Sequence, residues 1–352
     1  MTNSTVNLEG PVCAIPLRHD EKIVMGHGSG GRMSHELIGR LFQTPFTNPA
    51  LAAGDDAGVV AVAADRLAVS TDSHVVWPLF FPGGDIGRLA VCGTVNDLAM
   101  MGGRALYLSA GFIIEEGLAL AELEEIVASM AQAARSCGVR IVTGDTKVVA
   151  RGAADKLFIN TAGIGAIDYP EALGPQQIRL GDAVIVNGPL GDHGAAIMSL
   201  REGLGLSSQI VSDSAPLNGL VQEILAAAAG VHCLRDATRG GLGTILGELA
   251  EQSGLGIALE ESAIPVNEAV RGLGEILGLD PMFMANEGKF AVICAPAAAE
   301  RVLAVMRANP LGRQASLIGT VADASGRLSL RTAIGGERII DIPAGELLPR
   351  IC

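Results

Sequence analysis

Aromatic residues are scarce in this 352-residue chain: Phe, Tyr and Trp together make up 3% of it, with a single Trp. So few rings exclude an aromatic stacking platform for single-stranded nucleic acid. Basic residues are also in the minority, with 25 Lys and Arg against 38 Asp and Glu, which gives a net charge of −13. Because such a chain repels a phosphate backbone, we expect no nucleic-acid partner.

Long apolar runs are absent as well, since no stretch approaches the ~18 residues that a membrane-spanning helix needs. The first 16 residues contain neither Lys nor Arg, and therefore do not have the pattern of a secretory signal. We expect no membrane partner and a cytoplasmic location.

Cysteine is sparse, with six residues and no C-x-x-C pair. This spacing predicts neither a zinc site nor a disulfide framework. Cys352 differs from the other five because it is the last residue of the chain. A prenylation signal is excluded, since the Cys would have to be fourth from the end. Cys352 is either part of a frayed terminus or a carrier thiol on a swinging tail, whose thiolate Arg350 would favour.

Glycine and apolar residues are abundant: 46 residues are Gly and 49% of the chain is hydrophobic. The length favours two domains, and strand patterns alternating with helix patterns indicate an α/β or α+β fold. We place an N-terminal arm at 1–20, a first domain at 21–167 and a second at 168–338. A mobile, extended tail follows at 339–352.

Hydrophobic periodicity predicts the individual elements. Helices are predicted at 34–42, 85–101, 120–137, 194–202, 217–228 and 242–253. Strands are predicted at 59–63, 67–70, 106–114, 140–143, 157–167, 182–187, 291–294 and 317–321. We expect the first two strands to form a hairpin.

A glycine-rich loop at 26–31 matches G-x-G-x-x-G. A dinucleotide-binding reading would need an acidic residue at the end of a second strand, but the acidic pair 55–56 comes before the next predicted strand. A flexible phosphate-binding loop is the more favoured reading, and a solvent-exposed turn is the alternative. The sequence contains no G-x-x-x-x-G-K-[ST] motif, which excludes a P-loop.

Acidic turns recur along the chain, and three of them flank predicted strands. They lie at 54–58, 70–74, 96–97, 144–147 and 235–241. Asp in a Gly-containing turn often bonds only to its own backbone, but five such turns exceed what turn formation requires. Several carboxylates together with phosphate oxygens are typical ligands of Mg²⁺.

The order of these motifs resembles a known family. The motifs are HGSGG, GDDAG, STDSHVV, GTVNDLAMMGGR, TGDTKVV, RDATRGG, ANEG and the terminal PRIC. The internal motifs are similar to those of the aminoimidazole ribonucleotide synthetase and selenophosphate synthetase superfamily. Together with the PRIC end, they resemble the HypE family of hydrogenase maturation proteins. The resemblance implies a dimerising N-terminal sheet domain, a C-terminal α/β sandwich and a homodimer.

The resemblance also implies an ATP-dependent enzyme with Mg²⁺ on the phosphates. In the family, a HypF-type carbamoyltransferase loads a carbamoyl group onto the terminal Cys. ATP-dependent dehydration converts it to a thiocyanate, and the cyano group passes to iron on the HypC–HypD complex. The tail would therefore swing between an outward position and an inward one.

Site residues follow from the same resemblance. Cys352 is the expected carrier, Glu287 the candidate base and Lys147 a phosphate or tail ligand; His27 and His74 are weaker candidates. The implied metal ligands are Asp56, Asp72, Asp97, Asp145 and Asp236. The implied nucleotide-binding residues are these carboxylates and Gly28, Gly30, Gly31, Asn96 and Gly144.

Two alternatives remain open. A related synthetase acting on a free small molecule would explain the acidic turns but not the terminal Cys. A non-catalytic, nucleotide-switched thiol carrier would explain the Cys without dehydration chemistry. A selenophosphate synthetase is disfavoured because the glycine-rich loop holds no Cys.

Overall fold

The computed structural model describes residues 19–53, 57–205, 210–343, 345, 348 and 350–352. Asp56 and nearly all of the predicted N-terminal arm lie outside these residues. In the described parts of the chain, no helix has both the length and the apolar character needed to cross a bilayer.

The N-terminal half is a four-stranded sheet with two long helices. Its helices are α1 (Arg32–Leu37), α2 (Pro49–Ala52), α3 (Ile86–Met100) and α4 (Leu120–Cys137), with a 3-10 turn at Met25–Gly28 and a π-helical segment at Ile38–Gln43. Its strands are β1 (Leu67–His74), β2 (Phe80–Phe81), β3 (Gly84–Asp85), β4 (Gly103–Glu115), β5 (Arg140–Val149) and β6 (Leu157–Ile167). The main sheet has the order β1-β6-β4-β5, and β2 pairs with β3 as a short ribbon.

Helix α3 is the central helix of the N-terminal half. Asp85 caps it, since its Oδ1 accepts hydrogen bonds from the N–H groups of Gly87 and Arg88 at 2.8 and 3.0 Å. The helix is apolar on nearly all sides and largely buried, which is typical of a core helix. It packs with α4 on one face of the sheet. The opposite face leaves Leu67, Val69 and Ile113 exposed.

The C-terminal half is a seven-stranded sheet covered on both faces. Its helices are α5 (Asp192–Arg201), α6 (Asn218–Ala227), α7 (Gly241–Ser253), α8 (Glu268–Leu277) and α9 (Pro296–Ala308). Its strands are β7 (Ala183–Val186), β8 (Val231–Asp236), β9 (Gly256–Glu260), β10 (Phe290–Cys294), β11 (Ser316–Asp323), β12 (Leu328–Arg331) and β13 (Glu337–Ile340). The order is β13-β12-β9-β11-β7-β10-β8. Helix α7 covers one face, and α6 and α9 cover the other. The predicted α/β architecture of two sheet-containing halves is confirmed.

Two local predictions are wrong. Residues 59–63, all of which the structure describes, form no strand, and β1 pairs with β6 rather than with a hairpin partner. The start of the predicted mobile tail is also incorrect, because Ile339 and Ile340 belong to β13, which pairs with β12. The short apolar run at 59–63 does not indicate whether a partner strand is available.

Candidate active site

Four carboxylates from both halves converge between the two sheets, and we call them the interdomain cluster. The cluster consists of Asp72 on β1, Asp97 at the end of α3, Asp236 at the end of β8 and Glu287 just before β10. A cavity of about 510 Å³ reaches Asp97 and Asp236. Three of these carboxylates come from the segments predicted as acidic turns, although Asp72 lies in a strand and Asp97 in a helix.

Strand alternation explains how β1 contributes to the cluster. Residues at every second position point to the same face of a strand, so Ser70, Asp72 and His74 all face α3. Ser70 Oγ donates to Asp97 Oδ2 at 2.6 Å. His74 Nε2 lies 3.2 Å from Asp72 Oδ2. His74 is buried, and its Nδ1 has no hydrogen-bond partner among the described residues, which leaves one ring nitrogen available to a ligand.

The cluster carries more negative charge than its surroundings compensate. Burial, and then the neighbouring Asp97, raise the pKa of Asp236 to about 7. Burial and the charge of Asp72 also raise the pKa of Asp97. At Asp72, burial acts in the same upward direction, but the hydrogen bonds from His74 and the Ser73 N–H, together with the charges of His74 and Arg239, outweigh it and the pKa falls. A cation placed here would relieve this mutual repulsion.

Glu287 is the most deeply buried member of the cluster, with 4% of its surface exposed. Burial, followed by the charges of Asp213 and Asp236, raises the pKa of its carboxyl well above the ordinary value. Its Oε1 has no hydrogen-bond partner within the described part of the chain. Burial therefore favours the protonated form of the Glu287 carboxyl, and this carboxyl must be ionised before it can act as the predicted base.

Asp213 and Lys289 form a rigid support beneath Glu287, and sequence reasoning missed both. The N–H groups of Glu287 and Gly288 donate to the Asp213 carboxylate at 3.0 and 3.2 Å, and Lys289 Nζ does so at 2.9 Å. The ion pair is nearly buried. Only its position beside the predicted ANEG motif could have drawn attention to Lys289.

The end of the chain is seated beside this cluster. The N–H of Val75, which directly follows His74, donates to the Cys352 carbonyl at 2.9 Å. Ile351 is 1% exposed and belongs to the hydrophobic core that contains α3 and α4. The half-buried Cys352 packs against this core. In the described state the end of the tail is therefore held between the end of β1 and the start of α5, although Pro349 lies outside the described residues.

The remaining predicted site residues form a second group, at β5, which we call the β5-edge group. It consists of Gly144, Asp145 and Lys147 on β5 and of Gly28 against this strand, together with Gly30 and Gly31, which follow Gly28 in the same loop. Gly28 lies directly against β5, since a Cβ on it would be 2.8 Å from Val148 N. Lys147 Nζ is 2.8 Å from Asp145 Oδ2, and both side chains are largely exposed, at 64% and 70%. A cavity of about 330 Å³ lies along Gly144 and Asp145.

Asp72 and the β5 residues lie on opposite edges of the N-terminal sheet. The register places Asp72 opposite Thr161, Thr161 opposite Ala110, and Ala110 opposite Gly144. Three strand spacings separate the two edges, or about 14 Å. Asp72 and Asp145 of one chain are therefore too far apart to bind one metal ion together.

Two candidate residues have structural roles in the described state. Asn96 is buried, and its amide bridges the two halves, donating to Ala215 O at 3.1 Å and accepting from Leu217 N at 2.8 Å. His27 is buried, and its Nδ1 accepts from Val24 N at 3.0 Å. Both contacts fix backbone segments near the two groups of site residues.

The donor set fits a metal only in part. Among the described residues, no group of three His, Cys, Asp or Glu side chains is arranged to bind a metal ion. The uncompensated oxygens of Asp72, Asp97 and Asp236 suit Mg²⁺, provided that phosphate oxygens complete the coordination.

Family comparison first identifies the class of protein. Residues 54–167 match the N-terminal domain of AIR synthase related proteins, and residues 179–330 match the C-terminal domain. The two matches correspond to the two sheet-containing halves. The class is thus that of the AIR synthase related proteins.

More similar relatives then narrow this class. The carbamoyl dehydratase HypE of Azotobacter vinelandii is 53% identical over 331 residues, which covers 94% of this chain and 97% of the relative. A crystal structure of the hydrogenase maturation protein HypE in complex with ATP superposes with a TM-score of 0.91 at 49% identity, covering 94% of this chain and 99% of that one. A HypE–HypF complex gives a TM-score of 0.77 at 44% identity, covering 87% and 99%. The chain belongs to the HypE family of carbamoyl dehydratases.

Proposed function

We propose that this protein carries a carbamoyl group on the Cys352 sulfur and dehydrates it to a thiocyanate with ATP. The observation that carries the proposal is the seat of the C-terminal Cys beside the interdomain cluster. A relative named carbamoyl dehydratase and a HypE structure with ATP support it. The product supplies the cyanide ligand of the [NiFe] hydrogenase iron centre.

Removal of water from a carbamoyl group requires activation of its oxygen. An amide-type oxygen is a poor leaving group, whereas a phosphorylated oxygen is a good one. The carbonyl oxygen on Cys352 therefore attacks the γ-phosphorus of ATP, and ADP leaves. Loss of two N–H protons and release of phosphate then give S–C≡N. The atoms balance as thiocarbamate plus ATP giving thiocyanate, ADP, phosphate and one proton.

Glu287 is the group best suited to handle the N–H protons. A raised pKa brings a carboxyl towards the working pH, at which it can exchange protons efficiently. Its buried and unpartnered Oε1 can accept an N–H proton once the carboxyl is ionised. Loss of its own proton becomes easier when positive charge reaches the cluster, because its neighbours are then neutralised.

The cluster and the β5-edge group together suit a nucleotide. Asp72, Asp97 and Asp236 would hold Mg²⁺, which when bound neutralises phosphate charge during transfer. Asp56 belongs to the same proposed set. On β5, Lys147 would hold a phosphate, with Asp145 as a further metal ligand. Gly28, Gly30, Gly31 and Gly144 allow close approach of the backbone to the phosphates.

Loading and unloading of Cys352 require partner proteins. The solved HypE–HypF complex supports a HypF-type carbamoyltransferase as the loading partner here. A HypC–HypD iron scaffold would accept the cyano group. Because the seated tail is surrounded by both halves, loading requires an outward position, so we infer an equilibrium between two tail positions. A cytoplasmic location stays a prediction.

A homodimer follows from the open face of the N-terminal sheet. Leu67 and Val69 on β1 and Ile113 on β4 are 49%, 73% and 44% exposed. A row of apolar side chains on an uncovered sheet face favours burial against a partner surface, and twofold symmetry is the commonest arrangement.

Intact mass spectrometry tests the proposed function. The protein is incubated with carbamoyl phosphate, a HypF-type carbamoyltransferase and ATP. We expect a mass gain equal to one carbamoyl group, followed by loss of one water when Mg-ATP is supplied. Cys352→Ser should show neither change, while Cys294→Ser, which alters a buried cysteine, should behave as wild type. Loading without loss of water would favour a carrier without dehydratase activity.

A further inference from the structure

The last three residues are held largely through their main chain. Val75 N donates to Cys352 O at 2.9 Å, and Trp77 N donates to Arg350 O at 3.3 Å. The Arg350 guanidinium donates to Val75 O at 3.2 Å and also to the Asp155 carboxylate. The seat thus recognises the backbone of the tail, which stays the same whether Cys352 carries a thiol, a carbamoyl group or a thiocyanate.

His193, at the start of α5, contributes to this seat from the C-terminal half. It is 0% exposed. Its Nε2 lies 2.7 Å from Ile351 O, and its Nδ1 lies 2.7 Å from Ser212 Oγ. A carbonyl can only accept a hydrogen bond, so Nε2 carries the hydrogen and Nδ1 accepts from the Ser212 hydroxyl. Ser212 in turn accepts from Ser214 N at 3.1 Å.

The environment of His193 keeps the ring neutral. Burial lowers its pKa, and this outweighs the opposing effects of the Ile351 carbonyl and Asp213. Arg201, which donates to Trp77 O at 2.7 Å, adds a small lowering. A neutral ring with a fixed tautomer presents one N–H, and the buried Ile351 carbonyl is its partner.

We propose that His193 is a positioning residue that holds Cys352 in the dehydration site by donating from Nε2 to the Ile351 carbonyl. The role in dehydration rests on the proposed function, whereas the seating itself does not. When the tail leaves, water must replace the Ile351 carbonyl as the partner of the Nε2–H, and the direct hydrogen bond contributes net stability to the seated tail. His193 therefore shifts the tail equilibrium towards the inward position.

Two isosteric substitutions test this bond. The side-chain nitrogen of Gln can occupy the Nε2 position, whereas the shorter Asn reaches only the Nδ1 position. We expect His193→Asn to increase the rate of maleimide labelling at Cys352 about tenfold, and His193→Gln to stay within about threefold of wild type. The assay uses a Cys13→Ser background, because Cys92, Cys137, Cys233 and Cys294 are buried.

His232 provides the matched control. It is also a buried histidine, but it pairs with Asp182 at 2.7 Å and makes no hydrogen bond to residues 350–352 among those described. His232→Asn should leave labelling at the wild-type rate. Equal labelling of His193→Asn and wild type, or equal increases in His193→Asn and His193→Gln, would overturn the proposal. Labelling needs no turnover, so failure of the dehydratase reaction leaves this result interpretable.

A second readout covers the case in which His193→Asn does not fold. Histidine ¹⁵N spectra of the wild-type protein should show a neutral Nε2–H tautomer for His193 that exchanges slowly with solvent. Deletion of Ile351 and Cys352 should accelerate that exchange at least tenfold. An unchanged His193 signal after the deletion would contradict the bond. With a functional enzyme, His193→Gln should also restore kcat relative to His193→Asn, without changing the KM for ATP.

Discussion

The interdomain cluster and the β5-edge group both contain carboxylates, but in opposite environments. Asp236 and Glu287 are buried, repel one another and have raised pKa values. Asp145 is 70% exposed and is paired with Lys147. Solvent and an adjacent ammonium group compensate the second site. Within the described part of the chain, no Lys or Arg forms an ion pair with Asp236 or Glu287, and the charge of the nearby Arg235 leaves the pKa of Asp236 raised.

The unfavourable arrangement is the one in the interdomain cluster, where carboxylates are buried close to one another. Buried carboxylates of like charge destabilise a resting protein, and such groups are typical of sites whose ligand supplies the missing charge. The exposed Asp145–Lys147 pair contributes little to the stability of the fold. Its proposed role is therefore in ligand binding. The following predictions test whether the two groups differ in this way and whether they serve one reaction.

The largest effect is expected at Glu287. Glu287→Gln keeps the shape and removes the proton acceptor, so the dehydration rate should fall by about 10²- to 10⁴-fold, while carbamoyl loading of Cys352 continues. Intact mass over time measures both steps. Glu202→Gln, at an exposed position directly after α5, is the control. Near-normal loss of water in Glu287→Gln would remove Glu287 from the chemistry.

Subunit complementation tests whether the two groups meet across a dimer. Asp145→Asn and Glu287→Gln should each be nearly inactive as homodimers. If the β5 edge of one protomer completes the cluster of its partner, a doubly tagged heterodimer contains one intact site and regains about half of the wild-type rate.

Two outcomes would contradict that arrangement. A heterodimer without activity would mean that the two groups act within one chain or in separate processes. A monomer by light scattering at micromolar concentration would contradict the homodimer itself. A heterodimer of wild type with Glu287→Gln controls for the effect of the tags.

The dependence of ATP binding on Mg²⁺ should also differ between the interdomain cluster and the β5-edge group. Because the uncompensated cluster repels bare triphosphate, ATP should bind at least about tenfold more weakly in excess EDTA. The Mg²⁺ concentration needed for half-maximal ATP binding should rise more in Asp72→Asn than in Asp145→Asn. Calorimetric titration measures both quantities. Equal ATP affinity with and without EDTA would refute the metal bridge.

The smallest effect concerns stability and its pH dependence. The folded state raises the pKa of Glu287 above 4.5, so it binds more protons than the unfolded state as pH rises past that value, and wild-type stability falls. Glu287→Gln lacks this loss. Its free energy of unfolding should exceed that of wild type by about 1–3 kcal/mol at pH 8, and by little at pH 4.5.

Urea unfolding of the nucleotide-free protein at several pH values measures this gap. Asp145→Asn is the matched control on the β5 edge, and should stay within about 0.5 kcal/mol of wild type throughout. A pH-independent difference between Glu287→Gln and wild type would show that burial of the charge is not the cause.

The sequence by itself determined the long, regular elements and the chemistry of the site. Helix α4 and strand β6 have the predicted bounds, because a clear periodicity and the Gly138 stop for α4 are local signals. The acidic turns, the ANEG motif and the terminal Cys carry the family resemblance, and that resemblance made Asp72, Asp97, Asp236, Glu287 and Cys352 site candidates.

Only the tertiary structure decided which of the candidate residues lie close together and which lie apart. Asp145 and Lys147 are three strand spacings away from Asp72 in the sheet. No local sequence pattern encodes this strand order. His193 showed no local sign of its role, because its partner is the carbonyl of Ile351, 158 positions along the chain. The raised pKa of Glu287 likewise comes from burial and from carboxylates distant in sequence. Composition and spacing specify which groups are available, but electrostatic energy depends on distance and solvent exclusion, which only folding sets.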